Sequence, residues 1–226
     1  MPSPATHALA AALIITLLSC GNKPQSPQPP QPVTPQENTG TTATCTYTYV
    51  HDSTTVSFTA YKFEGKTGVG GTFDHIEVYP LTETGPLAQV LNAMEFRIPV
   101  QGTNTANDDR DNKIKDHFWG NLKNTATIMG QIVEVSGTET EGKLMASITL
   151  NEVTHQVPGT YTLANGNIRM AFELDMTQFD GLQAIAALNK VCEDLHREAP
   201  GQKSVLWPNV SVAVSGFLRS NCPGAN

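Results

Sequence analysis

Apolar and polar residues alternate with a period of two along most of the chain beyond residue 45. Val56, Phe58 and Ala60 alternate with Ser57 and Thr59, and Phe96, Ile98 and Val100 with Glu95 and Arg97. Ile168, Met170, Phe172, Leu174 and Met176 alternate with Arg169, Glu173 and Asp175, and Val210, Val212 and Val214 with Ser211 and Ser215. After Gly142, Leu144, Ala146, Ile148 and Leu150 share one phase. Successive side chains of a strand point to opposite faces, so these are strands with one dry and one wet face. The pattern predicts about nine strands, near 45–51, 54–63, 70–79, 94–101, 126–137, 142–151, 153–163, 167–176 and 208–219. Pro99 marks an edge or bulge, because proline brings no N–H to a ladder. Asn165-Gly166 is a hairpin turn signal, since both residues tolerate positive φ. Helical spacing appears twice, over 111–120 and, longer, over 181–197. In the second, Leu182, Ile185, Ala186, Leu188, Cys192 and Leu195 form an amphipathic stripe. Many antiparallel strands with one apolar face make a sandwich or a barrel, and a helix of this length suits a cap at a barrel mouth.

The N-terminal region follows other rules. Residues 8–18 are almost wholly apolar, a run too short to span a bilayer and of the kind found in export signals. The run closes on Leu17-Leu18-Ser19-Cys20, which resembles a bacterial lipobox. The resemblance implies a signal peptide over 1–19, cleavage before Cys20 and acylation of its thiol. No Lys or Arg precedes the run, and the alternative is an ordinary secretory signal with a chance cysteine. Residues 21–44 carry Pro24, Pro27, Pro29, Pro30, Pro32 and Pro35 among Gln, Ser, Thr and Asn. Such a segment buries too little to offset chain entropy and is expected to be a disordered, partly polyproline-II tether. Gly21 and Asn22 stand where lipoproteins of the inner membrane in enteric-type bacteria carry aspartate, which by resemblance places the anchor in the outer membrane. A single domain over 45–222 and a short tail at 223–226 complete the expected organisation. The formal charge of −7 belongs to the part after the signal, and there is no basic stripe. Nucleic acid is therefore excluded as a partner class, and membrane contact is expected through the anchor only.

Cys45, Cys192 and Cys222 remain after lipidation, and an exported domain sits where disulfides persist. If the sheet closes into a barrel, the ends of the first and last strands lie side by side, which favours Cys45–Cys222. Cys192 would then be a free, buried thiol, while Cys192–Cys222 and Cys45–Cys192 stay open on spacing alone.

The order of segments resembles the YceI-like family, lipocalin-like barrels that hold polyisoprenoids or related amphiphiles. Ser53-Thr54-Thr55-Val56-Ser57-Phe58 is similar to its early strand, and Val69-Gly70-Gly71-Thr72-Phe73 to its "V-x-G-x-F" strand. The run from Arg110-Asp111-Asn112-Lys113 to Asp116-His117-Phe118-Trp119 resembles the family's "R-D-x-H-L-x-x-x-F-F", with Lys113 at the histidine and Trp119 at the second aromatic. Thr125-Ala126-Thr127-Ile128 stands where the family enters its next strand, and residues 142–157 resemble its "G-x-L-T-I-x-G-V-T-x-x-V" pair. The resemblance implies an antiparallel lipocalin-like β-barrel of eight or nine strands with one longer and one short helix.

The chemistry-bearing residues do not converge on catalysis. His51, His75, His117, His155 and His196 show no metal-ligand spacing. Asn107, Asp109 and Asp111 mimic the start of a calcium loop, but Asn112 stands at its glycine and Phe118 at its glutamate, so capping of the short helix through Asp109 or Asp111 explains them better. There is no Gly-x-Ser-x-Gly and no Cys-x-x-Cys. No catalytic residue, metal or other cofactor is expected. Arg110 is expected to pair with Asp111 at the barrel mouth; alternatively Arg110 or Lys113, with His117 nearby, meets an anionic headgroup. The expected ligand-facing interior is Phe58, Phe73, Phe96, Ile98, Ile148, Met170, Phe172, Val212 and Val214, joined by Phe118 and Trp119. Gly70, Gly130 and Ala146 would remove bulk from that space. Two functions follow. One is a tethered periplasmic lipoprotein whose barrel stores, shields or ferries an isoprenoid-like or other long-chain amphiphile. The other is a partner-docking envelope lipoprotein whose barrel is filled by Trp119, Trp207 and the 181–197 helix. An internal cavity distinguishes them.

Overall fold

The alternating segments form the strands of one curled antiparallel sheet in the computed structural model, which describes residues 44–223. The expected signal segment, Cys20 and the tether up to residue 43 lie outside the described residues, as does the tail from 224. The strands are β1 (Thr46–Tyr49), β2 (Thr55–Lys62), β3 (Thr67–Phe73), β4 (Glu77–Tyr79), β5 (Thr84–Gly85) and β6 (Glu95–Pro99). There follow β7 (Thr103–Asn104), β8 (Thr127–Gly137), β9 (Glu141–Leu150), β10 (Val153–Ala164), β11 (Asn167–Asp175) and β12 (Leu206–Asn221). Helices α1 (Leu87–Leu91), α2 (Asp108–His117) and α3 (Leu182–Val191) lie between them. The sheet runs β4-β6-β8-β9-β10-β11-β12-β2-β3-β7, with β1 pairing β12 and β5 off this path. The mainly β, lipocalin-like fold expected from the sequence is thus the fold observed, as a half-barrel whose terminal strands β4 and β7 are not paired with each other.

Twelve strands replace the expected nine for local reasons. The predicted 70–79 strand breaks after Phe73: Asp74 donates its N–H to Gly102 O (2.9 Å), and β4 crosses to pair β6 at the other edge. Strands β5 and β7 are two-residue pairings too short to leave a periodic signal. Asn165 and Gly166 both take positive φ (51° and 78°), as the hairpin signal requires. Pro99 ends β6 without interrupting a ladder.

The helices differ more from expectation. Helix α2 begins three residues earlier than predicted, and its cap is Asn107 rather than Asp109 or Asp111. Asn107 has extended backbone (φ −151°) and its side-chain oxygen accepts the Arg110 N–H at 2.9 Å, while Asp109 and Asp111 are already helical. The predicted 181–197 helix is cut at Cys192 (φ −111°, ψ 20°), beyond which residues 193–196 tighten into a 3₁₀ turn. Ala184 and Ile185 are buried, but Leu182 and Leu195, at the two ends of the predicted stripe, are exposed.

Opposite ends of β12 see different neighbours. Its C-terminal end pairs β1, and the Cys45–Cys222 disulfide joins the chain at this point, leaving Cys192 free and buried. Here α1 packs on β1, β5 and β8, and Tyr47, Leu87, Val90, Leu144, Tyr161 and Leu163 form a dense core. At its N-terminal end β12 meets α3, which packs on α2.

Candidate functional site

Inside the curl the inward positions surround an apolar cavity. Along β12 its lining runs from Leu206 to Leu218, on the order of 40 Å at about 3.3 Å per residue. Every residue expected to face a ligand lines this one space: Phe58, Phe73, Phe96, Ile98, Phe118, Trp119, Ile148, Met170, Phe172, Val212 and Val214. Trp119, Trp207, Ile185 and Leu188 line it as well, so the groups that could have filled the barrel form its wall.

No charged side chain lines the cavity, and its polar atoms are engaged within the protein. Tyr49 Oη and Thr54 Oγ1 are 2.8 Å apart, and burial pushes the Tyr49 phenol up. Trp119 Nε1 donates to Thr103 Oγ1 (2.9 Å), which itself donates to Val100 O (2.7 Å). Trp207 Nε1 donates to Phe63 O (2.7 Å), while Lys66 Nζ sits 4.5 Å from the centre of its ring. A guest therefore meets a wall that offers it apolar surface, and the hydrophobic effect is the available source of affinity.

Helix α2 covers one end. Ile114 is its one large apolar residue, and this residue lines the cavity together with Phe118 just past the helix. Phe118 and Trp119 meet edge-on at 4.8 Å, and Trp119 continues through Phe73 (6.4 Å) to Phe58 (5.4 Å), which makes an aromatic wall. Arg110, Lys113 and His117 sit on the same helix but do not line the cavity. The expected Arg110–Asp111 ion pair is replaced by a relay. Asp111, buried, accepts from Thr105 N (2.8 Å) and Thr105 Oγ1 (2.5 Å), and Arg110 Nε reaches the same hydroxyl at 3.0 Å. Neighbouring side chains on a helix diverge by about 100°, so the carboxylate turns inward to Thr105, just past β7, and the guanidinium stays at the rim.

Glycines shape the wall differently from expectation. Gly70 faces outward, and a Cβ there would meet only Phe58 O at 3.9 Å, so it does not enlarge the interior. Gly130 faces inward, but a Cβ there would lie 2.2 Å from Phe96 Cζ: the glycine houses a ring. Residues missed in the sequence include Ile76, Ile114 and Leu206. Ile114 had a readable signal, because a lone large apolar residue in a charged helix can only face inward. Ile76 had none, since it lies at the break between β3 and β4.

Comparison with known proteins fits this geometry. The YceI-like domain model matches residues 47–213. A polyisoprenoid binding domain from Saccharophagus degradans, implicated in plant cell wall breakdown, superposes with a TM-score of 0.54 at 13% identity, covering 77% of this chain and 98% of that one. BcnA of Burkholderia cenocepacia superposes with a TM-score of 0.50 at 12% identity, covering 74% and 96%. No curated protein matches the sequence. With three quarters of its length aligned to that one domain model, this chain belongs to the YceI-like domain family.

Proposed function

We propose that this protein is a binding lipoprotein of the bacterial envelope, anchored through Cys20 and holding an isoprenoid-like or other long-chain amphiphile in its half-barrel. One observation carries the binding reading: a long cavity with apolar walls, whose few polar atoms already have partners. Such a lumen suits the tail of a guest and leaves its polar head outside, on the side of α2 where Arg110, Lys113 and His117 stand. The lumen presents no group for acid, base or nucleophilic work, so the reading is one of carriage rather than catalysis. The similarity to a polyisoprenoid binding domain supports the same ligand class. Export and anchoring rest on the apolar run, the lipobox-like tetrapeptide and the proline-rich segment, and the outer membrane on Gly21 and Asn22.

The test is to purify the full chain from a bacterial envelope, extract it with organic solvent and analyse both phases by mass spectrometry. A stoichiometric long-chain lipid, with a diacylglyceryl modification on Cys20, is the expected result. A protein that is reproducibly empty and takes up neither isoprenoids nor fatty acids overturns the ligand reading. An unmodified Cys20 overturns the anchor.

A further inference from the structure

Three of the largest side chains of the lumen lie against a glycine on the neighbouring strand. Phe58 is in register with Gly71, Phe96 with Gly130, and Phe172 with Gly159. The three atoms nearest a Cβ built on Gly130 all belong to the Phe96 ring, at 2.2 Å for Cζ and 2.8 Å for both Cε atoms. On Gly71 it would lie 2.4 Å from Phe58 Cζ and 2.9 Å from Thr105 Cγ2. On Gly159 it would lie 2.6 Å from two atoms of the Phe172 ring and 2.8 Å from Ala171 O. Each ring thus leans across the ladder and covers the backbone where a side chain is missing, a cross-strand arrangement that also compensates the weakness of glycine in a strand. The consequence for the cavity is geometric. A ring parked along the wall intrudes by its thickness, whereas a ring pointing at the barrel axis intrudes by its length.

We propose that Gly71, Gly130 and Gly159 set the width of the lumen, and so decide that it admits methyl-branched chains and not only straight ones. This rests on the carrier reading above and assigns its selectivity to residues that need not touch the guest. An alanine at Gly71 or Gly130 meets side-chain atoms first and lifts the ring from the wall into the lumen, since the strand backbone blocks the outward path; at Gly159 it would press on Ala171 O as well. Gly70 supplies the internal contrast: it adjoins Gly71 on β3 but faces out, where a methyl group meets nothing closer than 3.9 Å.

The full chain is offered an equimolar mixture of geranylgeraniol and arachidyl alcohol, and the bound fraction is read by mass spectrometry. Gly130→Ala is expected to lower the branched-to-straight ratio by about tenfold or more, the order at which hydrophobic pockets discriminate small changes in shape. Gly70→Ala is expected to leave the ratio at the wild-type value, and F96A/G130A to regain the branched guest. A folded Gly130→Ala that keeps the wild-type ratio overturns the proposal. If Gly130→Ala does not fold, F96A and F96A/G130A decide. With the ring gone the added methyl must not change the ratio, and a ratio that still falls overturns the assignment. A wild-type protein that takes up neither alcohol refutes the carrier reading itself, which is a separate outcome.

Discussion

The two ends of the half-barrel are built from the same alternating strands and differ in whether the inward side chains meet. At the end where β12 pairs β1, Tyr47, Leu87 and Val90 are buried and line no part of the cavity, while Val210, Val212 and Val214 of β12 are only partly buried around it. Helix α1 makes the difference at the dense end, where it sinks Leu87 and Val90 to 4% and 0% exposure. Helices α2 and α3 instead present Ile114, Ile185 and Leu188 as a roof. Apolar surface left uncovered is worth about 25 cal/mol per Å² to any guest that covers it. The comparison teaches that packing is unevenly divided: one end holds the fold, the other leaves its hydrophobic surface uncovered.

Substitutions at the two ends break or sharpen this contrast. The largest effect is expected from Cys45→Ser with Cys222→Ser, which frees a bridge spanning 177 residues and costs roughly 2–5 kcal/mol. Thermal unfolding of this variant should match that of the reduced wild type, with lipid uptake retained below its melting temperature. Next, Leu144→Ala in the dense core is expected to cost about 2–5 kcal/mol, because a sealed void forms there. Val214→Ala, against the existing cavity, should cost under about 1 kcal/mol in the same denaturant titration, since it widens a space already present. Equal losses would erase the distinction between the ends. A loss smaller than at Leu144 is expected from Thr103→Val, which leaves Trp119 Nε1 without its acceptor while Val100 O keeps the Thr103 N–H, costs about 1–3 kcal/mol and shifts the Trp emission.

The smallest expected effect is a pH dependence at the roofed end. Burial, with Lys62 nearby, lowers the His196 imidazole from 6.5 to about 4. Its Nδ1 lies 2.8 Å from Asn189 Oδ1, which also accepts from Ser204 Oγ and so ties the end of α3 to the approach to β12. A histidine whose folded pKa is depressed binds its proton more readily unfolded, so its share of stability is whole above about pH 6.5 and lost as pH falls towards 4. Unfolding free energies measured across that window should be flatter for His196→Gln than for the wild type.

Much of this was legible in the chain. Alternation identified β2, β6, β9, β11 and β12 and the inward residues on each, because facing is a local consequence of strand geometry. Asn165-Gly166 declared its turn, and the two cysteines flanking the first and last strands found each other once the sheet curled. The end of α3 was not legible, because the apolar stripe continues past Cys192 while hydrogen bonds from residues 204 and 205 hold the chain in another course. Nor was the route of Asp111, whose partner Thr105 lies just past β7, a strand of only two residues.

By itself the sequence determined which face the alternating residues of the long strands take, where the Asn165-Gly166 turn falls and that the interior is apolar. Those properties depend on backbone geometry and on neighbours a few positions away. Only the tertiary structure decided that the interior is hollow at one end and filled at the other. Whether Phe96 points into the lumen or lies on its wall depends on Gly130, which the ladder alone brings beside it. Packing is a relation between strands, and register, which the pattern along one strand does not contain, is what sets it.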